Sequence, residues 1–210
     1  MEHRDAEAAK KIQEASSLPS GSSLRVRNHY DKHGAPDTSS ARDVATAIRR
    51  AIREDVPALV DLNTIVQSLH ADALPALFRK DCPRAVVMDA FERMLDDPKA
   101  LWLIAEDKEP CGYIYAEFRD REESWFRPAH RICNISHIAV RRDHRKAGVA
   151  RALIEAVRKE ADGRGYRRIE LDVWSFNGKA RKAFEHLGFR VFNERMAWQD
   201  PHEAPESSRP

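Results

Sequence analysis

From residue 46 onward the chain switches between strand-like alternation of apolar and polar positions and the helix-like spacing of apolar residues three and four apart. "TAIRRAI" (46–52) alternates and predicts a strand. "EDVPALVDLNTIVQSLHADALPALF" (54–78) predicts a helix, with Asp55 as its N-cap and Pro57 in the first turn, where proline is tolerated. "AVVMDAFERMLDD" (85–97) predicts a second helix stopped by Pro98. "ALWLIAED" (100–107) and "GYIYAEF" (112–118) predict a hairpin turning at "KEPCG", and "RDREESWFRPAH" (119–130) a charged connector. "RICNISHIAV" (131–140) predicts a strand with Asn134, Ser136, Ile138 and Val140 on one face and His137 on the other. "GVARALIEAVRKEADG" (148–163) predicts a helix with Val149, Leu153, Ala156 and Val157 on its apolar face and Gly163 as its stop. "RRIELDVWSF" (167–176) predicts a strand with Glu170, Asp172 and Trp174 opposite Ile169, Leu171 and Val173. "GKARKAFEHLG" (178–188) predicts a short helix capped by Asn177 and ended by Gly188, and "FRVFNERMAW" (189–198) closes with one or two strands. The fold class is α/β.

The flanks differ. Residues 1–42, with "ASSLPSGSS" and "HGAPDTSSARD", have little to bury and predict a disordered extension; 200–210 predicts a flexible tail. One domain is expected over 43–199. His29 and His33 are spaced as on one helical face, but Gly34 and the lack of a third ligand favour a solvated loop, and no metal is expected. Lys and Arg number 36 against 34 Asp and Glu, a net charge of +2, so no general attraction to nucleic acid or membrane is expected. Cys82, Cys111 and Cys133 lie far apart, which argues against a disulfide framework or a zinc site. With no long apolar run and no signal-peptide pattern at the start, the expected location is the cytoplasm.

The candidate chemistry begins where strand 131–140 meets "RRDHRKAG" and then a helix. A helix start exposes unpaired N–H groups and carries about +0.5 charge, which together attract anions. Gly148 would let a ligand approach the backbone, Ala147 and Ala150 keep the rim small, and Arg141, Arg142, Arg145 and Lys146 add positive charge. Neither the Walker pattern nor G-x-G-x-x-G is present. A solvated basic loop before a core helix and a nucleic-acid patch are the competing readings of this stretch.

"R145-K-A-G148-V-A150" resembles the [RQ]-x-x-G-x-[GA] signature of the GNAT superfamily, the acetyl-CoA-dependent N-acetyltransferases. The preceding "HIAV", the following "IELDVWSFN", "N177-x-x-A180" and "FEHLGF" resemble the family's segments in order, over about residues 45 to 199. The resemblance implies a mixed, mostly antiparallel central sheet flanked by helices. It implies that the backbone of Arg145, Lys146, Ala147, Gly148, Val149 and Ala150 holds the pyrophosphate of acetyl-CoA. Ile138, Ala139 and Val140 would pair with the pantetheine arm, beside Asn177, Ala180 and Phe184, and the Val140 N–H would serve the oxyanion. The N-cap role of Asn177 is compatible with this.

Acetyl transfer needs a neutral amine, a stabilised oxyanion and a leaving thiolate. The family often has a tyrosine where this chain has Phe184, which cannot donate a proton. A thiol pKa near ~8.5 makes that loss survivable. Asn134 and Ser136 occupy positions where the family often holds a base or a water, and neither is a strong base. Asp172 is the candidate base or water-positioner, with a structural carboxylate as the alternative; His137 is read as structural. His70, Asp72, Glu117 and Trp174 are candidate acceptor-binding residues, with Trp125 a further cleft candidate. The expected function is acetylation of a primary amine, on a small molecule or a protein N-terminus, with a homodimer as the candidate assembly. The alternative is a catalytically weak acyl-CoA sensor, motivated by Phe184 and the missing base.

Overall fold

The computed structural model describes residues 46–198; the expected extension at 1–42 and the tail at 200–210 lie outside them. Strands β1 (Ala47–Arg50), β2 (Ala100–Asp107), β3 (Glu109–Arg121), β4 (His130–Val140) and β5 (Arg168–Leu171) form one sheet in that order. Neighbours are antiparallel except β4 and β5, which are parallel. The helices are α1 (Val56–Ala73), α2 (Arg84–Leu95), α3 (Val149–Gly163) and α4 (Gly178–His186).

Each sheet face is buried by its own helices. Leu101, Leu103, Ile114, Ala116, Cys133 and Ile135 point toward α3, whose Val149, Leu153, Ile154, Val157 and Ala161 form a single stripe. Trp102, Ile104, Tyr113, Tyr115 and Ala139 point the other way, to Leu59, Val60 and Leu62 of α1 and Phe91 of α2. The alternation along β2 and β3 thus separates two cores.

Several boundaries differ from expectation for local reasons. Helix α1 stops at Ala73 rather than 78, because Pro75 forces Leu74 out of the helical region (φ −138°, ψ 67°). Helix α3 is ended by Gly165 (φ +79°), not Gly163. The Tyr166 N–H donates to the Ala161 carbonyl (2.8 Å) and the Gly165 N–H to that of Asp162 (2.9 Å), a Schellman closure. At Gly188 (φ +93°) the same closure ends α4 as expected, with Phe189 N–H donating to Phe184 (3.0 Å). Strand β5 covers only 168–171 of the expected 167–176, and 189–198 forms no strand. A strand needs a ladder partner, and 189–198 is hydrogen-bonded into no ladder; Val191, Phe192, Met196 and Trp198 stand exposed.

Asp55 precedes α1 but does not cap it. Its carboxylate accepts two bonds from Arg49 (2.6 and 2.8 Å) and one from the Ile52 N–H (2.8 Å), while Arg49 also grips Glu106 on β2. The Arg49 partnership holds the Asp55 carboxyl below the usual carboxylate range, against the upward push of burial. Asp55→Ala is expected to cost about 2–4 kcal/mol, from the lost charge-assisted bonds and an orphaned N–H. Because the folded-state pKa is depressed, this contribution is full above pH ~4 and is lost as pH falls through the folded value. Urea melts at pH 7 and pH 3 check both statements: the gap between the wild-type and Asp55→Ala curves should be narrower at the lower pH.

Candidate active site

The sheet opens where β5 ends. Its pairing with β4 runs from Ile132/Arg168 to Ile135/Leu171, whereas β4 continues to Val140. From Ser136 to Val140 one edge of β4 therefore has no strand beside it among the described residues. On the other edge, the Arg141 N–H donates to the Cys111 carbonyl (2.8 Å). In an antiparallel ladder hydrogen-bonded pairs alternate with non-bonded ones, so the Val140/Gly112 pair is non-bonded and the Val140 N–H turns toward the open edge.

The expected faces of β4 are corrected by a bulge. His137 pairs with Tyr115 and Ile135 with Ala116, which leaves Ser136 as an extra residue. The alternation consequently reverses. Cys133, Ile135, Ile138 and Val140 all pack toward α3, whereas Ala139 and the His137 ring join the α1/α2 side, His137 lying 5.4 Å from Tyr115. Ile138 and Val140 do not share a face with Asn134, and His137 does not oppose it. Burial lowers the His137 pKa, and its Nδ1 is buried without a hydrogen-bond partner among the described residues, so the ring is neutral at pH 7.

The loop after β4 is shaped by backbone conformation. Lys146 (φ +65°) and Gly148 (φ +84°) are both left-handed, and Gly148 is the N-cap of α3. A Cβ on Gly148 would meet no atom within 4 Å. Among the described residues no carbonyl or side chain accepts from the N–H groups of Lys146 to Arg151; the first helical bond is Ala152 to Gly148 (3.0 Å). These amides bracket the open space at Gly148. Two of the basic side chains have partners within the protein. Arg141 is held by Asp143 (2.7 Å), whose own carboxyl His144 and Arg141 push down to about 2, and Arg145 Nε donates to the Val140 carbonyl (3.2 Å). Below the loop lies Gly112, where an added Cβ would come within 2.9 Å of the Ala139 carbonyl and 3.3 Å of Val149 Cγ1. Sequence reading passed over Gly112, although a lone glycine inside a strand signals such an approach.

Across the opening, the Asn177 side chain accepts from the Ala180 N–H (3.1 Å) and caps α4. Phe184 meets Phe189 edge-on at 5.9 Å and packs on the α3-side core. This is the apolar contact that accompanies a Schellman closure, which gives an aromatic ring at 184 a structural use.

A polar cluster occupies the α1/α2 side of the sheet. Glu117 pairs in the ladder with Asn134 and forms an ion pair with Arg119. The Ser136 hydroxyl donates to Glu117 (3.2 Å) and accepts from Asn134 Nδ2 (3.0 Å). Burial pushes the Glu117 carboxyl up, but Arg119, Tyr115 and Ser136 outweigh it and keep the group ionised. Glu170 stands beside Asn134 and is paired with Arg168. Asp172 is exposed just past β5 and makes no hydrogen bond or ion pair among the described residues.

His70 and Asp72 part company. Asp72 points to solvent and binds Lys80 (2.7 Å). His70 joins Phe78 (4.9 Å), Trp174 (6.3 Å) and Phe176 (5.8 Å), with Trp174 edge-on to Phe78 at 5.2 Å. Burial lowers the His70 pKa. Trp125, 94% exposed, stands at the tip of the β3–β4 hairpin, the opposite end from Val140, and is not a cleft residue.

Residues 63–189 match the acetyltransferase (GNAT) family profile, more than half of the chain. The chain belongs to the GNAT acetyltransferase family. Its fold is the GNAT fold. The BH1408 protein of Bacillus halodurans, as a tetramutant, is 22% identical with a TM-score of 0.68, over 73% of this chain and 99% of that one. The aminoglycoside N-acetyltransferase AAC(6')-Iy in complex with CoA is 20% identical with a TM-score of 0.60, over 74% and 95%. A transcriptional regulator from Bacillus halodurans C-125 is 20% identical with a TM-score of 0.58, over 74% and 99%. These likenesses concern the fold. No curated protein sequence matches the chain. No helix among the described residues is long and apolar enough to cross a membrane.

Acetyl transfer from acetyl-CoA is the chemistry of the GNAT family, and this chain's loop has the features a diphosphate requires. The unpaired amides of Lys146 to Arg151 are donors in search of acceptors, and the Gly148 position leaves space for them to be reached.

Proposed function

We propose that the protein acetylates a primary amine, on a small molecule or a protein N-terminus, by direct attack of the amine on the thioester of acetyl-CoA. The observation that carries this reading is the row of unpaired amides around Gly148, next to the bare edge of β4. In this reading the backbone of Arg145 to Ala150 binds the pyrophosphate. The Ile138–Val140 edge lies along the pantetheine arm, with Asn177, Ala180 and Phe184 opposite. The Val140 N–H is assigned to the oxyanion. The amine nitrogen forms a bond to the carbonyl carbon, the carbon–sulfur bond breaks, the nitrogen sheds its proton, and the sulfur leaves as thiolate. An α-amino acceptor of pKa ~7.7–8.0 needs only about 1 kcal/mol to be neutral at pH 7, against about 4–5 kcal/mol for a lysine-like amine. A water held by Asp172, or by Asn134 and Ser136, is enough for the first.

The second reading, an acyl-CoA sensor, is favoured by Phe184 and by the lack of a strong base at Asn134 and Ser136. Thiol release from acetyl-CoA across a panel of amines and peptides separates the two. Release with an amine supports the enzyme; a thermal shift with acetyl-CoA but no release supports the sensor; neither overturns both. Asp172→Asn is expected to lower kcat by about 10²-fold and to remove a limb of the pH–rate profile. An unchanged profile makes Asp172 a structural carboxylate.

A further inference from the structure

We infer that the acceptor is a monocationic primary amine carried on a short apolar arm that ends in a flat ring, and that the ring group of His70, Phe78, Trp174 and Phe176 selects it. This rests on the acetyltransferase reading of the same site and names its substrate class.

Two segments distant in the chain build this group. His70 is in the last turn of α1 and Phe78 in the turns that follow Pro75, while Trp174 and Phe176 lie between β5 and α4. The rings contact one another at 4.9–6.3 Å, yet Trp174 remains 40% and Phe176 36% exposed. Leu77, 65% exposed, lies beside Phe78 in the chain. Contiguous aromatic surface left in water marks a place where an apolar group is bound. The group stands next to the reaction side of the sheet: Trp174 follows β5, whose last residue pairs with Ile135.

The polar surroundings restrict the acceptor further. An aminosugar needs many donors and acceptors, whereas this ring group offers only the His70 nitrogens and the Trp174 indole N–H. A polyamine needs several free carboxylates. Glu117 is paired with Arg119 and Glu170 with Arg168, which leaves Asp172 unpaired among the described residues. One free carboxylate, two residues from Trp174, matches one ammonium. The neutral His70 ring adds no charge to repel it at pH 7.

The test measures thiol release by the full chain at saturating acetyl-CoA with ethylamine, 2-phenylethylamine, a Phe-initiated tripeptide, spermidine and kanamycin. The expected kcat/KM is highest for one of the two ring-bearing amines, and which one distinguishes a free arylalkylamine from a peptide N-terminus. Trp174→Ala and the milder Phe78→Leu should each reduce kcat/KM for 2-phenylethylamine about tenfold or more, chiefly through KM, and reduce it far less for ethylamine. Preference for spermidine or kanamycin, or equal losses on ethylamine and 2-phenylethylamine, overturns the inference while acetyl transfer stands. If no amine releases thiol, the acetyltransferase reading fails separately. Tryptophan fluorescence then decides the inference: saturable quenching by 2-phenylethylamine that is lost in Trp174→Ala supports it, and no quenching overturns it.

Discussion

Gly148→Val is expected to abolish the rise in melting temperature that acetyl-CoA produces. At a concentration of 100 Kd a ligand stabilises by about 2.7 kcal/mol, roughly 5–10 °C for a domain of this size. The valine acts in two ways. At φ +84° its Cβ strains the backbone by about 1–2 kcal/mol, which lowers the melting temperature of the free protein. Its methyl groups also enter the space that no other atom approaches within 4 Å, between the ligand and the unpaired amides. Loss of a pair of charge-assisted hydrogen bonds, about 1.5–3 kcal/mol each, predicts a fall of at least about 100-fold in affinity. Gly148→Ala separates the effects, since it carries the strain with little obstruction and should keep part of the shift. A full shift in the valine variant would mean that the loop does not hold the cofactor.

The second large effect is expected at Gly112, one layer below. Gly112→Val must displace the Ala139 carbonyl, because even the Cβ comes within 2.9 Å of it, and must also crowd Val149. Overpacking of this kind costs about 1–3 kcal/mol. The displaced atoms belong to the end of β4 and the first residue of α3, so the damage reaches the bare strand edge and the amide row together. Thermal denaturation should show a melting temperature lowered by several degrees and a diminished response to acetyl-CoA. A variant that melts within about 1 °C of the wild type and responds fully would show that the two segments can separate without consequence.

The fold was largely legible because its helices and central strands keep one period over many residues. The apolar stripe of α3 and the Asn177 and Gly188 signals around α4 are local properties, and each appears where the spacing puts it. What depends on a neighbour was not legible. The apolar alternation of 189–198 predicts strands, but a ladder needs a partner, and periodicity says nothing about one. At Asp55 the residue type suited a cap, while Arg49, six residues earlier, took its carboxylate. The loop at Gly148 could be read because its glycine has a local cause; the left-handed Lys146 could not, since lysine has no preference for it. The His70–Trp174 ring group was invisible as a unit, because its members come from elements about a hundred residues apart.

The extra residue at Ser136 lets β4 carry one residue more than the stretch of β3 opposite it without exchanging the sides of its neighbours. Asn134 and Ile135 take their sides before the bulge, and His137 through Val140 take theirs after it. Removing Ser136 in frame would take out that extra residue, restore plain alternation and leave every later side chain on its present side. Ile138 and Val140 would stay in the α3-side core and the His137 ring beside Tyr115, while the hydroxyl that joins Asn134 to Glu117 would be lost. The strand thus absorbs at the bulge a change of one codon, which in a plain strand would reverse every side chain from that point to the loop at Gly148.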